Sequence, residues 1–148
     1  MKKLMLLLAL AIALSLTVVG CAKKPSGESG GSASDAELQA FLGDHVYFDY
    51  DRYAIRSDQV PVLQSKVAYL NANSSATAEI QGHCDERGSE AYNLALGDRR
   101  AKAAYNYVVD AGISSSRLST ISYGEERPLD PGHDESAWSK NRRAQFAQ

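Results

Sequence analysis

The first twenty residues cannot share a core with the rest of this chain. Met1, Lys2 and Lys3 form a basic head, Leu4 to Val19 are apolar except for Ser15 and Thr17, and Gly20 gives a small exit. That order describes a secretory signal peptide, residues 1–20, removed from the mature protein. This sixteen-residue stretch covers about 24 Å as a helix, short of the roughly 30 Å hydrocarbon core, which argues against a transmembrane anchor. From Ala22 to Ser34 the chain is Lys, Pro, Ser, Gly, Glu and Ala with no large apolar side chain. It is expected to be a flexible linker that spans about 20 Å on average and roughly 45 Å when taut. The foldable part is therefore Asp35 to Gln148, 114 residues, enough for one domain with one core.

Val18-Val19-Gly20-Cys21 resembles the bacterial lipobox, in which the thiol of the first mature residue is acylated. The resemblance implies lipidation at Cys21, and Ala22 in place of Asp implies sorting to the outer membrane. Several acyl chains at about 0.8 kcal/mol per buried CH₂ make such an anchor effectively permanent.

The whole chain has 16 Lys and Arg against 18 Asp and Glu, and residues 1–20 contain two Lys and no acid. The mature chain thus carries 14 basic and 18 acidic residues, near −4. Such a charge argues against nucleic acid or an anionic membrane face as the main partner. Cys84 is the only cysteine besides Cys21. It lies in the run Ala-Glu-Ile-Gln-Gly-His-Cys and is expected to be buried and inert.

Periodicity lays out the domain. Asp35–Leu42 reads as a short lead-in helix, and Val46–Tyr50 as a strand. Ser57 or Asp58 caps a helix whose apolar residues Val60, Leu63, Val67 and Leu70 step by three and four, with Pro61 in its first turn. A turn at residues 71–75 leads to a strand over 76–84. Ser89 opens the longest helix, Glu90 to about Ala111, which Gly112 ends and Ile113 closes by folding back on Val108. A strand near 118–123, a polar loop over 124–140 and a final strand over 142–147 complete the chain. Strands alternating with amphipathic helices imply helices packed on one sheet, parallel where the crossovers are helical. The closing pair is expected to be antiparallel.

Gly82-His83-Cys84-Asp85-Glu86-Arg87-Gly88-Ser89 joins a strand to the long helix, a common place for a ligand. Alternation along the strand puts His83 and Cys84 on opposite faces, and Asp85 with His83 if the strand persists. A His–Cys catalytic pair is therefore disfavoured, and His45, His83 and His133 lack metal-ligand spacing. An enzyme reading has no support. On the helix, Asn93 and Arg100 share one face, with Leu96, Ala104 and Tyr107 beside it. Asp85 and Arg100 can offer one anionic and one cationic contact to a single ligand. A structural Asp85–Arg100 salt bridge accounts for the same spacing equally well.

Five stretches carry a resemblance: Val46–Asp51, Gly82–Ser89, Asn93–Ala101, Tyr123–Pro128 and Asn141–Arg143. In this order, over nearly all of residues 44–147, they resemble the OmpA-like peptidoglycan-binding family, and the lipobox points to its lipidated members. The resemblance implies an α+β domain of βαβαββ type, with an about four-stranded mixed sheet and helices on one face. It implies non-covalent binding of the peptide stem of peptidoglycan through meso-diaminopimelate. Asp85 would meet the ligand's ammonium, and Arg100 rather than Arg99 its carboxylate. Asp49, Asn93 and His83 would line the same site, with Phe48, Leu96 and Arg142 supporting it. The implied role is a non-enzymatic anchor without cofactor or metal, joining the outer membrane, at its periplasmic face, to the cell wall. Association with TolB and TolA in the Tol system is also implied, and with it envelope integrity and constriction during division. A lipoprotein that binds only proteins is the alternative. The family's last strand is often more apolar than Gln145-Phe146-Ala147-Gln148, which leaves the strand's end open. Asp85→Ala and Arg100→Ala are expected to abolish wall binding with thermal stability near wild type.

Overall fold

The computed structural model describes residues 34–148. The expected signal peptide, the expected lipidation site at Cys21 and the expected linker up to residue 33 lie outside the described residues. Ser34, assigned to the linker from sequence, is the N-cap of the first helix: its hydroxyl accepts from the Glu37 amide while the Glu37 side chain accepts from its own amide. This reciprocal box satisfies two of the free amides at the start of α1 (Asp35–Gly43).

The remaining elements are β1 (Val46–Tyr47), α2 (Val60–Ala72), β2 (Ala78–His83), α3 (Glu90–Asp110), β3 (Leu118–Gly124), α4 (Glu135–Asn141) and β4 (Arg143–Ala147). The sheet order is β1-β4-β2-β3. β2 and β3 are parallel, joined by α3, and β4 runs antiparallel to both β1 and β2. The last strand therefore pairs not with β3 but between β1 and β2, at the centre of the sheet. The domain is α+β with a four-stranded mixed sheet.

One face of the sheet makes the core. Val46, Ala144, Phe146, Ala78 and Ile80 share it with Phe41 of α1, Leu63 and Leu70 of α2, and Ala101, Ala104 and Val108 of α3. α1, α2 and α3 thus cover the same face. The opposite face carries Glu79, Gln81, Gln145 and Arg143, with Gln145 bonded to Gln81 at 2.9 Å. That polar alternation is why the C-terminal strand looked insufficiently apolar in sequence.

α3 is bounded as its sequence predicts. Ser89 accepts from the Tyr92 amide, and at the other end the Gly112 and Ile113 amides return to Val109 and Val108 at 2.8 and 3.3 Å. Gly112 sits at φ 99°, the left-handed conformation this helix end needs.

Three further expectations are corrected. Neither Ser57 nor Asp58 caps α2: both lie in a 3-10 turn, Ser57–Gln59, and the helix start at Val60 has no side-chain cap. The first strand stops at Tyr47, because a turn that bonds the Arg52 amide to the Asp49 carbonyl at 3.2 Å takes the chain off the sheet. The stretch over 124–140 contains α4, capped by Asp134. Its seven residues bury only Ala137 and Asn141, too little apolar periodicity to stand out.

α3 lies directly on β2. A Cβ added at Gly82 would overlap the backbone carbonyl of Gly97, and one at Gly97 would meet the Ser122 hydroxyl. This contact of bare backbones sets the height of α3 above the sheet, and with it the position of Arg100. Gly82→Ala is expected to cost about 3 kcal/mol, the upper range for overpacking, as backbone rather than a flexible side chain must move. Thermal unfolding checks it, with a midpoint lowered by roughly 10 °C or more.

Candidate ligand-binding site

At the carboxyl end of β2 a cavity of about 120 Å³ is lined by Tyr50, Asp51, Cys84, Asp85, Arg87, Gly88, Tyr92, Asn93, Leu96 and Arg100. Its walls come from three segments: the turn after β1, the loop from β2 to α3, and the first three turns of α3.

Arg100 forms the floor. It is 0 % exposed, and its guanidinium donates to the carbonyls of Arg52 at 2.8 Å, His83 at 2.9 Å and Asp49 at 3.1 Å. Nη1 also reaches the Cys84 sulfur at 3.4 Å, and the group stands 5.3 Å from the Phe48 ring centre. Four of its five N–H donors are thus engaged, all by uncharged acceptors. Among the described residues no carboxylate lies within ion-pair distance of Arg100. Burial lowers its pKa from the usual guanidinium range, yet arginine stays charged in proteins. The cavity therefore has a buried cation with no anionic partner of its own.

Asp85 is 4 % exposed. Its carboxylate accepts from the Arg87 amide at 3.1 Å, from Arg87 Nη2 at 2.7 Å and from Arg142 Nη1 at 3.2 Å. Burial acts to raise its pKa, but the bonds from Arg87 and Arg142 outweigh it and hold the group below the usual carboxylate range. Asp85 pairs with Arg87 and Arg142, not Arg100. The structural Asp85–Arg100 salt bridge is absent.

Asn93 holds the loop on the helix. Its amide nitrogen donates to the carbonyls of Asp85 at 3.2 Å and Arg87 at 3.3 Å, and to the Glu125 carboxylate. Leu96 supplies the apolar wall. Arg142 lies outside the cavity and ties Asp85 to the Phe48 carbonyl, at 3.1 Å, and to Glu135, at 2.5 Å.

Two residues assigned to the site from sequence are elsewhere. The Asp49 side chain is 64 % exposed and pairs with Arg56 at 3.3 Å; only its carbonyl serves the site. The His83 ring lies on the opposite face of the sheet, stacked on Tyr123 at 5.5 Å, and again only the carbonyl reaches Arg100. The register of β2 shifts between Gly82 and His83 and the strand ends there, so Asp85 does not continue the alternation and joins Cys84 on the cavity side. Cys84 is buried, donating to the Asn93 carbonyl at 3.3 Å. Burial pushes its thiol up to about 11, so it stays a thiol at neutral pH.

The OmpA family pattern matches residues 47–142. The chain belongs to the OmpA family. It is 43% identical over 151 residues to the peptidoglycan-associated lipoprotein of Pasteurella multocida, covering 99% of both chains. With that of Mesorhizobium japonicum the identity is 42% over 146 residues, covering 91% of this chain and 87% of the other. The crystal structure of the peptidoglycan-associated lipoprotein from Burkholderia pseudomallei superposes with a TM-score of 0.68 at 39% identity, over 70% of this chain and 87% of that one. The chain is thus a homologue of non-enzymatic structural lipoproteins.

Within this OmpA-family domain, sequence reasoning missed the mouth of the cavity. The Arg87 guanidinium is sandwiched between the rings of Tyr50, at 4.0 Å, and Trp138, at 4.2 Å. The Tyr92 hydroxyl bonds to Asp51, a non-glycine residue held at φ 53°. Trp138 is fixed by its indole N–H to Glu86 at 2.9 Å. Trp138 sits in the helix that the sequence concealed, so nothing in spacing linked it to Arg87. Arg100→Ala is now expected to lower stability as well, because it strips one buried and two half-buried carbonyls of their donor, at about 1–3 kcal/mol for a fully buried one.

The two nitrogens of His83 have no partner among the described residues, and the residue is 1 % exposed. Burial, followed by the charge of Arg143, pushes its pKa down to about 3. The folded protein therefore keeps His83 neutral at a pH where the unfolded chain, near 6.5, takes up a proton. Stability falls as pH drops from about 6.5 towards 3, since only the unfolded state gains the proton. His83→Phe, which keeps a ring against Tyr123, is expected to flatten the loss between pH 6.5 and 5 in urea unfolding.

Proposed function

We propose that this protein binds the peptide stem of peptidoglycan non-covalently through meso-diaminopimelate and so anchors the outer membrane to the cell wall. The observation that carries this reading is the buried Arg100 cation, unpaired with any described carboxylate, in one small cavity with the Asp85 carboxylate. The free end of diaminopimelate carries an ammonium and a carboxylate on one carbon, the complement of Asp85 and Arg100. Its apolar stem matches Leu96, and the cavity suits a charged head group rather than a whole peptide. The names of the lipoprotein homologues point to the same polymer.

Two charge-assisted contacts of roughly 1.5–3 kcal/mol each, less the cost of ordering the stem, give modest affinity per site. Acylated at Cys21 and held at the periplasmic face of the outer membrane, many copies would face one repeating polymer. Their avidity would exceed the single-site affinity without any new contact. The linker from Cys21 to residue 33 would set the reach. TolB and TolA are the protein partners this reading includes, within the Tol system that supports the envelope and its constriction at division.

The test is binding to purified sacculi. Asp85→Asn keeps the shape and removes the charge, and Arg100→Lys keeps a charge but cannot serve three carbonyls and a ligand together. Each is expected to weaken retention by about tenfold or more, while free meso-diaminopimelate competes the wild type off the wall. Undiminished retention in both variants, without competition, would show that the wall is held elsewhere or through another protein.

A further inference from the structure

The Asp85 carboxylate has no acceptor to spare. A carboxylate offers about four lone-pair positions. On Asp85, Oδ1 takes the Arg87 amide at 3.1 Å and Nε at 3.3 Å, and Oδ2 takes Arg87 Nη2 at 2.7 Å and Arg142 Nη1 at 3.2 Å. An incoming ammonium must therefore displace a donor.

The two arginines differ in how firmly they are held. Arg142 is 8 % exposed in its side chain, and its other donors are bound to the Phe48 carbonyl and to Glu135. Arg87 is 29 % exposed, and beyond Asp85 it has the faces of Tyr50 and Trp138 and a longer contact to Glu135 at 3.5 Å. Arg87 lines the cavity; it is the donor with room to leave.

We propose that Arg87 sets the specificity of the cavity, because its guanidinium stands on Asp85 where the ligand's ammonium has to go. The inference rests on reading the cavity as a diaminopimelate site. Exchanging one cation for another on the same carboxylate yields little net binding, so an ammonium alone does not displace Arg87. A ligand that also brings a carboxylate to Arg100 gains a contact Arg87 cannot supply, and that gain drives the exchange. Rejection of a stem ending in a lone ammonium thus comes from a built-in competitor, not from a clash.

The experiment uses the full chain and two tripeptides, L-Ala-γ-D-Glu-meso-diaminopimelate and L-Ala-γ-D-Glu-L-Lys. The latter lacks the carboxylate beside its side-chain ammonium. Arg87→Met keeps an apolar stem between Tyr50 and Trp138 and removes the competing charge. By calorimetry it is expected to bind the diaminopimelate tripeptide about tenfold more tightly than wild type and to narrow the preference over the lysine tripeptide. In the wild type, binding should also change the emission of Trp138, the chain's single tryptophan, as the guanidinium leaves its ring. Unchanged or weaker binding by a folded Arg87→Met overturns the proposal, and so does saturation of the wild type with no change in Trp138 emission. Should Arg87→Met fail to fold, the Trp138 measurement on the wild type decides. A wild type that binds neither tripeptide would refute the diaminopimelate reading itself; one that binds the diaminopimelate tripeptide with no tightening in Arg87→Met would refute only the role of Arg87.

Discussion

A buried guanidinium organises this domain. Removing an isolated charge from water costs several kcal/mol even after relaxation, and Arg100 is fully buried without a carboxylate beside it. Three backbone carbonyls, from Asp49, Arg52 and His83, offset that cost. They belong to two segments far apart in sequence, the turn after β1 and the end of β2. Arg100 is therefore both the joint that fixes those segments and the one strong positive potential at the cavity floor. The bare-backbone contact of Gly82 with Gly97 serves the same joint, because a helix standing further from the sheet could not bring the guanidinium to the His83 carbonyl.

Asp85 is built on the opposite logic. Its charge is neutralised within the protein by Arg87 and Arg142, which makes the carboxylate reliably ionised and correctly aimed. Arg100 lacks an ionic partner and Asp85 has an excess. The cavity consequently has one unmet electrostatic demand, for an anion, and one demand met by a replaceable group. A zwitterion answers both at once, whereas a simple anion or a simple cation answers only one.

Much of this was legible in the sequence, and the failures have physical causes. The limits of α3 followed from Ser89 and Gly112 because capping is local chemistry. The face shared by Asn93, Leu96 and Arg100 followed from helical geometry. Asp49 and His83 came to the site through the resemblance, which matches positions and does not say which way a side chain turns. The turn at Asp49 sends its carboxylate to Arg56, and strand alternation puts the His83 ring on the far face of the sheet, so in both only the carbonyl reaches Arg100. Arg87 went unassigned because its partners Tyr50, Asp85 and Trp138 come from three separate parts of the chain. Family resemblance could point to Asp85 and Arg100, but not to which arginines already occupy Asp85.

Lys66 applies the same device at the other end of the core. It falls among the apolar positions of α2, where a leucine would look natural, and it is fully buried. Its ammonium donates to the Ala40 and Phe41 carbonyls at 3.0 and 2.5 Å, the last turn of α1, and lies near the rings of Phe41 and Phe146. A nine-residue helix that buries only Phe41 has little stability of its own. The Phe41–Tyr69 stack at 4.2 Å and the Lys66 ammonium are what attach it. Burial lowers Lys66 to about 8, so it remains mostly protonated near neutral pH and keeps its donors on those carbonyls. Both ends of the domain thus rely on a cation held by backbone carbonyls. At Lys66 the ammonium serves attachment alone, through two carbonyls; at Arg100 the planar fork spans three and still presents its charge to the cavity.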